Sequence, residues 1–366
     1  MAVYYVTISM LTGAGYVLAQ KKQGSKTTLC YLAAAFLSLT FLASFRYAIG
    51  FDYFSYRDFY QRYSAMPFRD ILQSNRIEPL FFVLCRLFSL TGLPYPAFLL
   101  FINVFLMSVS MLFVYRHSKL PWVSVYLYLT LQFLAYNMNL IRQSIAVAFF
   151  MLAYPYLKGR KLLPYTFLII VGGLFHNSLL FIYPFYFLLP WKHSRRFVGG
   201  LLALAGLGYI FFDPIFRMIA PALPLKYANY QGSYFWNSNG LEYAILPALY
   251  FLLVYYFRNR IGGTAQRAIY VNSALYQFLI SLFITKHFIL ERFAIYPFTL
   301  SLLAIPEIID SYQLKKKTGT NTMDYHCVLF LFLLFGAVWF CFAAAKGYHR
   351  VYPYVSLLDR SLSIPN

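Results

Sequence analysis

Apolar residues along this chain come in blocks of about 13 to 20, separated by short polar clusters. Blocks of that length predict helices packed in a bilayer, where each helix satisfies its own backbone N–H and C=O groups. The pattern places spans near 3–19, 29–47, 97–115, 121–136, 142–157, 162–175, 178–190, 197–212, 241–257, 269–285, 293–310 and 326–345. That is twelve crossings, with both termini on one side. The first block lacks the basic flank and small-residue cleavage site of a signal peptide, so it is expected to stay as a span. Several spans are short: at 1.5 Å per residue, 13 or 14 residues cover about 20 Å of a roughly 30 Å core. Short helices that end below the surface leave a depression open to water and lipid.

A thirteenth block, 79–93, breaks the parity of the charged loops if it crosses fully. Arg86 in its middle and the break Thr91-Gly92-Leu93-Pro94-Tyr95-Pro96 predict a re-entrant or interfacial helix instead, since irregular backbone is tolerated where it lines a polar cavity. The inner loops then hold seventeen basic residues against three acids (Glu307, Asp310, Asp324), and the outside holds fourteen basic residues with eight acids among them. The Lys/Arg bias thus puts both termini and the polar segments 46–96 and 213–241 outside.

Composition strengthens this picture. Of 366 residues, 61% are hydrophobic and 11% charged, against about 25% charged in soluble domains. A soluble fold of this size has no place to hide so much apolar surface. Many Tyr and Trp sit at block ends, where an interfacial belt places them. The net charge of +20 falls in small groups between apolar blocks rather than along one face or tail, which argues against a nucleic-acid partner. Cys30, Cys85, Cys327 and Cys341 lie in or beside apolar stretches without metal-ligand spacing and read as small buried hydrophobes. The expectation is one all-α polytopic membrane domain over residues 1–366, with about twelve transmembrane helices and one re-entrant or interfacial helix.

The candidate chemistry gathers on the outer side. The segment running from Arg46 through Asp52, Tyr53, Tyr56 and Arg57 to Glu78 interleaves Arg, Asp and aromatic rings. It reads either as an amphipathic interfacial helix or as a carbohydrate surface, with rings against sugar faces and Asp and Arg on hydroxyls. Arg142 opens a span after Asn137-Met138-Asn139-Leu140-Ile141. A cation there opposes the helix dipole, so it either snorkels or, with free backbone N–H groups, receives a phosphate. His176 sits between two apolar helices, as a structural residue, a general base for a sugar hydroxyl or a donor to phosphate. Glu291 and Arg292 precede the apolar run 293–303, and ions at the membrane edge are functional candidates. The 213–241 loop carries Tyr230 and Trp236 as a lid or sugar platform.

No GxxxxGK[ST] loop, no HExxH and no inner nucleotide-binding domain is present, which speaks against a nucleotide-sugar or ATP enzyme. A donor already in the membrane, activated as a lipid pyrophosphate, fits better, with basic side chains rather than a metal neutralising the leaving group. No cofactor is expected.

Five stretches in order carry a resemblance: Arg46-Tyr47-x-x-Gly50-x-Asp52-Tyr53-x-x-Tyr56, Glu78-Pro79-Leu80-Phe81, Ile141-Arg142-Gln143-Ser144-Ile145-Ala146, Phe175-His176-Asn177-Ser178 and Glu291-Arg292-Phe293-Ala294-x-Tyr296. Together they resemble the EpsG-like branch of the Wzy-type polysaccharide polymerases, over residues 30 to 310; the last fifty residues match no named motif. The resemblance implies a GT-C-like membrane glycosyltransferase at the outer face of the bacterial cytoplasmic membrane. Such an enzyme moves a growing glycan from undecaprenyl pyrophosphate onto a new lipid-linked repeat unit, and a regulator protein that sets chain length is a further expected partner. Carried onto this chain, Arg142 and Arg292, with Arg46 as a third, would hold the pyrophosphate. His176, Asp52 and Glu78 are alternative bases, and Tyr53, Tyr56, Arg57, Glu291, Tyr230 and Trp236 would meet sugar.

Three rivals remain. A glycan-to-lipid ligase would use the same Arg and His chemistry. An acyltransferase would need an inner route to its acyl donor. A flippase of lipid-linked sugars would line a path through the membrane with polar residues, whereas these candidates cluster at one end.

Overall fold

The computed structural model describes residues 1–19, 25–74, 77–219, 240–317 and 322–358. They form an all-helical chain, and the one β feature among them is an isolated bridge between Arg46 and Ser356. In chain order the helices are α1 (Ala2–Leu18), α2 (Lys26–Ser44), α3 (Tyr53–Ser64), α4 (Phe68–Ser74), α5 (Pro79–Ser89) and α6 (Tyr95–His117). Then come α7 (Pro121–Thr130), α8 (Phe133–Asn139), α9 (Ile141–Lys158), α10 (Leu162–Gly173), α11 (Phe185–Leu188), α12 (Arg195–Ile210) and α13 (Phe212–Ile219). The last are α14 (Glu242–Tyr256), α15 (Thr264–Ile284), α16 (Glu291–Phe298), α17 (Ser301–Lys317) and α18 (Thr322–Ala345).

Every apolar block of the sequence coincides with a helix or a broken pair of helices. Their ends follow local chemistry. Ser25 and Ser194 cap α2 and α12, accepting from Thr28 N–H at 3.2 Å and Phe197 N–H at 3.1 Å. Pro79 and Pro121 open α5 and α7 at the position where a missing N–H costs nothing. The block 121–136 is broken at Gln132, whose φ of 72° ends one helix and starts the next.

Fewer helices than twelve are long and apolar enough to cross a membrane. Among the described residues there are four: α2, α6, α15 and the Asp324–Ala345 stretch of α18. A fifth is obtained if the pair α16–α17, bent by 43°, counts as one span. The difference is one of length and continuity. Helices such as α1, with 17 residues, and α10, with 12, are apolar but short, and α7–α8 is interrupted.

Burial sorts the helices into layers. Every residue of α7 and α8 is buried, and α7 packs against α1, α2, α6, α17 and α18. This central column is enclosed by other helices, and polar side chains within it are hydrogen-bonded inside, as Ser124 Oγ is to the Leu302 carbonyl at 2.6 Å. Outer helices expose large apolar side chains, including Val17 on α1, Leu163 on α10, Leu252 on α14 and Phe330 on α18. Apolar surface of that extent fits lipid and not water.

The segment 46–96 folds into α3, α4 and α5 at one end of the bundle. On α3 the residues Tyr53, Tyr56, Tyr60 and Tyr63 recur at helical spacing and are all buried. Their rings meet α5 and α6: Tyr56 lies edge-on to Phe81, Tyr63 is tilted against Phe82, and Tyr60 stacks on Phe98. Each ring pair adds about 0.5–1.5 kcal/mol beyond its buried area. The other face of α3 carries Phe54, Arg57 and Asp58 outward.

Candidate active site

Glu78 lies at the N-terminus of α5 but does not cap it; its carboxylate reaches across to α9 and to the turn after α10. Oε2 accepts from Arg142 Nη1 at 2.9 Å, and Oε1 accepts from the Asn177 backbone N–H at 2.9 Å and lies 3.0 Å from His176 Nδ1. Leu80 N–H donates to the Leu174 carbonyl at 3.2 Å, which ties the start of α5 to the same turn. Residues separated by 64 and 98 positions thus meet on one carboxylate.

This geometry assigns protons. A carboxylate oxygen only accepts, so His176 Nδ1 carries the hydrogen and Nε2 keeps its lone pair. Burial acts to raise the Glu78 carboxyl, but the hydrogen bonds from His176 and Asn177 and the charge of Arg142 outweigh it and hold it at about 2. Burial lowers His176, and the Arg292 and Arg142 charges add to that, against the pull of Glu78. His176 is therefore neutral near pH 7, and its Nε2 has no partner among the described residues.

Arg142 is held on several sides. Its backbone N–H donates to the Tyr56 hydroxyl at 3.3 Å, and its guanidinium lies 5.6 Å from the Phe82 ring and 5.9 Å from the Phe59 ring. The N–H expected to be free for a phosphate is therefore used by Tyr56. The next residue, Gln143, donates from Nε2 to the Arg292 carbonyl at 2.6 Å, so the Arg-Gln pair on α9 sets the start of α16.

Beside this triangle opens a cavity of about 540 Å3, lined by Asp52, Asn139, Glu291, Arg292, Lys346, His349 and Arg350 among others. Its two sides are joined by backbone: Gly50 N–H donates to the Arg350 carbonyl at 2.9 Å. Gly50 has φ of 95°, and a Cβ there would meet the Met138 carbonyl oxygen at 3.2 Å, so the approach requires glycine. Asn139 fixes both walls. Its Oδ1 accepts from Asp52 N–H at 3.1 Å, which orients the amide, so Nδ2 donates to His349 Nδ1 at 3.0 Å. His349 then carries its proton on Nε2, 4.0 Å from Glu291 Oε1. Burial pushes the His349 imidazole down to about 3. His349 and Arg350 take left-handed φ of 58° and 51°, strain of the kind that concentrates at functional sites.

The cations of the cavity differ in their engagement. Lys346 pairs with Glu242 at 2.8 Å, and Arg350 lies 4.4 Å over the Phe51 ring. The Arg292 guanidinium has no hydrogen bond or ion pair to a described residue. Two carboxylates lie on the wall: Glu291, whose Oε1 has no hydrogen bond, and Asp52, which has no side-chain partner among the described residues. Burial raises the Asp52 carboxyl, while the Arg292 and Arg142 charges act to lower it, and the net shift is upward.

Of the residues singled out from sequence, Asp52, Glu78, Arg142, His176, Glu291 and Arg292 come together here. Arg46 does not. Its side chain is fully buried, Nη1 donates to the Ala43 carbonyl, and the guanidinium lies 5.9 Å from the Tyr53 ring. Tyr53 and Tyr56 are packed inside with 3% and 4% exposure, and Arg57 pairs with Asp58 at 3.5 Å on the surface. Tyr230 and Trp236 lie outside the described residues. Lys346, His349 and Arg350 were not picked out from sequence; the signal was Gly347-Tyr348-His349-Arg350 directly after the last apolar block. Among the described residues no three His, Cys, Asp or Glu side chains gather in a group that would hold a metal ion.

A helical bundle with lipid-facing apolar helices and a charged cavity at one end defines a polytopic membrane protein. The chain belongs to the EpsG family, whose model matches residues 29–356, and is thereby a membrane protein of polysaccharide biosynthesis. The match runs beyond the resemblance read from motifs and takes in Lys346, His349 and Arg350. No curated protein and no solved structure matches the chain.

Proposed function

We propose that this protein polymerises lipid-linked oligosaccharide repeat units by glycosyl transfer at the outer face of a bacterial cytoplasmic membrane. The observation that carries the reading is the juxtaposition, in one cavity, of the unpartnered Arg292 and the free carboxylate of Asp52. A pyrophosphate leaving group needs the first and an attacking hydroxyl needs the second.

In this reading the donor is a glycan on undecaprenyl pyrophosphate, and Arg292, supported by Arg350 and Lys346, takes its phosphates. Arg142 contributes charge from behind, where Glu78 and Tyr56 hold it in place. Asp52 accepts the proton of the acceptor sugar hydroxyl. The oxygen of that hydroxyl forms its bond to the donor anomeric carbon as the bond from that carbon to the pyrophosphate oxygen breaks. The electron pair leaves with the lipid pyrophosphate, and one such step inverts the anomeric centre. Both oxygens of Glu78 are engaged and its carboxyl is held at about 2, which makes it a positioning residue rather than a base. His176 Nε2 is the alternative proton acceptor, supported by its free lone pair.

The same reading takes α1, the broken pair α7–α8, α9, α10, the Asn177–Leu188 segment, α12 and α14 as further crossings beside the five, giving about twelve in a GT-C-like arrangement with the cavity outside. The lipid-facing side chains of α1 and α10 support it.

Purified protein supplied with a synthetic lipid-pyrophosphate repeat unit, a chelator and no nucleotide sugar should yield a ladder of longer lipid-linked glycans on a gel. Transfer only onto a foreign lipid acceptor would assign a ligase. Translocation without any ladder would assign a transporter.

A further inference from the structure

A second cavity, of about 380 Å3, lies between the start of α12, the end of α14 and the start of α15. The two cavities sit at opposite ends of α14. Glu242 and Tyr243 at the start of α14 border the outer site region, while Tyr255 at its end borders the second cavity. On α15, Thr264 and Arg267 line the second cavity and Ile284 lies at the far end. Its 21 residues span about 30 Å, one hydrocarbon thickness. The charge bias of the loops assigns this end to the cytoplasmic side.

The lining has one sign. Lys192, Arg195, Arg258 and Arg267 face it, and no acid does. None of the four forms an ion pair with a described residue. Arg258 is steered by its own helix end, donating to the Tyr255 carbonyl at 2.6 Å with the guanidinium 4.1 Å over the Tyr255 ring. Arg267 donates to the Ile261 carbonyl at 3.3 Å, and its Nε is buried without a partner. Four uncompensated cations beside a concave polar wall call for an anion. Neutral lining groups also point in: His193 bonds the Tyr276 hydroxyl at 2.8 Å and Asn272 caps the Leu189 carbonyl at 2.9 Å, which fixes the wall.

The surroundings of the cavity narrow the ligand. Trp191, Phe197, Leu252 and Tyr256 are exposed around it. A charged slot bordered by apolar, lipid-facing side chains fits a phosphate headgroup whose acyl chains run along the helices. We infer that this cavity is a binding site for the phosphate headgroup of an anionic phospholipid in the leaflet opposite the active site. Its occupancy anchors the inner ends of α14, whose start carries Tyr243 of the catalytic cavity, and of α15, which leads into Phe288 and Ile289 of that cavity.

Native mass spectrometry of the full chain in detergent tests this, with phosphatidylglycerol, phosphatidylcholine and inorganic phosphate as separate probes. Wild-type protein should retain phosphatidylglycerol at least tenfold better than phosphatidylcholine. The variant K192Q/R195Q/R258Q/R267Q should lose that preference. K192Q/R195Q, which removes only exposed side chains without partners, keeps the fold and should weaken retention about tenfold. Wild-type retention in the folded double variant would overturn the site. Displacement of the lipid by an equal concentration of inorganic phosphate would overturn the headgroup as its ligand.

Discussion

The Glu78 triangle and the cavity beside it contain the same kinds of side chain and are built in opposite ways. In the triangle the carboxylate is saturated: two oxygens receive Arg142, Asn177 and His176 within 3.0 Å. In the cavity, Arg292 and Asp52 line one space without side-chain partners among the described residues. A saturated carboxylate fixes geometry, because every charge already has its counterpart and any ligand must displace one. Unpartnered charges are held for something that arrives, since a buried or half-buried ion left alone costs stability until it is matched. On the proposed reading, the comparison separates residues that position from residues that touch substrate.

Replacing the cavity groups should therefore cost activity without unfolding the protein. Asp52→Asn carries the largest expected effect, a 10²–10⁴-fold loss of polymer formation, the usual worth of a general base. The pH profile sharpens it. The acid limb of activity should follow the raised Asp52 carboxyl, vanish in Asp52→Asn and persist in His176→Asn; the reverse pattern would give the base to His176. Arg292→Ala comes next, at about 10²–10³-fold. Arg292→Lys should recover only part of it if the phosphate contact is a planar fork, because a point charge does not replace two parallel donors.

The triangle predicts a loss of stability instead. Glu78→Gln leaves Arg142 without its counter-charge and His176 Nδ1–H without its carboxylate acceptor, and a melting curve should show the protein weakened by about 3 kcal/mol, from a carboxyl held at about 2 against an ordinary 4.5. Because the folded value lies below the unfolded one, that contribution is present above about pH 4.5 and is lost as pH falls toward 2. Wild-type stability should decline across that window, and the Glu78→Gln variant should lack that part of the decline. Arg57→Ala, on the exposed face of α3, is the smallest change, within twofold in activity and unmeasurable in stability.

The same contrast explains what could be read from the sequence. Hydropathy located the helices because block length and helix length share one cause, the burial of backbone in an apolar medium. It did not reveal that Gln132 interrupts 121–136 in a left-handed turn, nor how many short helices cross. Arg292 stood out as an ion at the edge of an apolar run, Arg142 as a cation opposing a helix dipole, and Asp52 as part of a segment that interleaves Arg, Asp and aromatic rings. Arg46 stood out in that same segment, yet it points inward among Tyr4, Tyr53 and Tyr95; chain position does not tell which way an arginine faces. Lys346 and Arg350 lie after the last apolar block, in a stretch that matches no named motif. They reach the cavity wall because 347–358 folds back on 45–50, with Tyr47 N–H on the Val355 carbonyl and Leu357 N–H on the Phe45 carbonyl.

The most direct test of the account is a structure of the protein with a non-transferable lipid-pyrophosphate sugar bound. The account predicts phosphate oxygens within hydrogen-bond distance of the Arg292 guanidinium and an acceptor-side opening at Asp52. Phosphates seated away from Arg292, with the cavity between Asp52 and Arg350 left vacant, would contradict it.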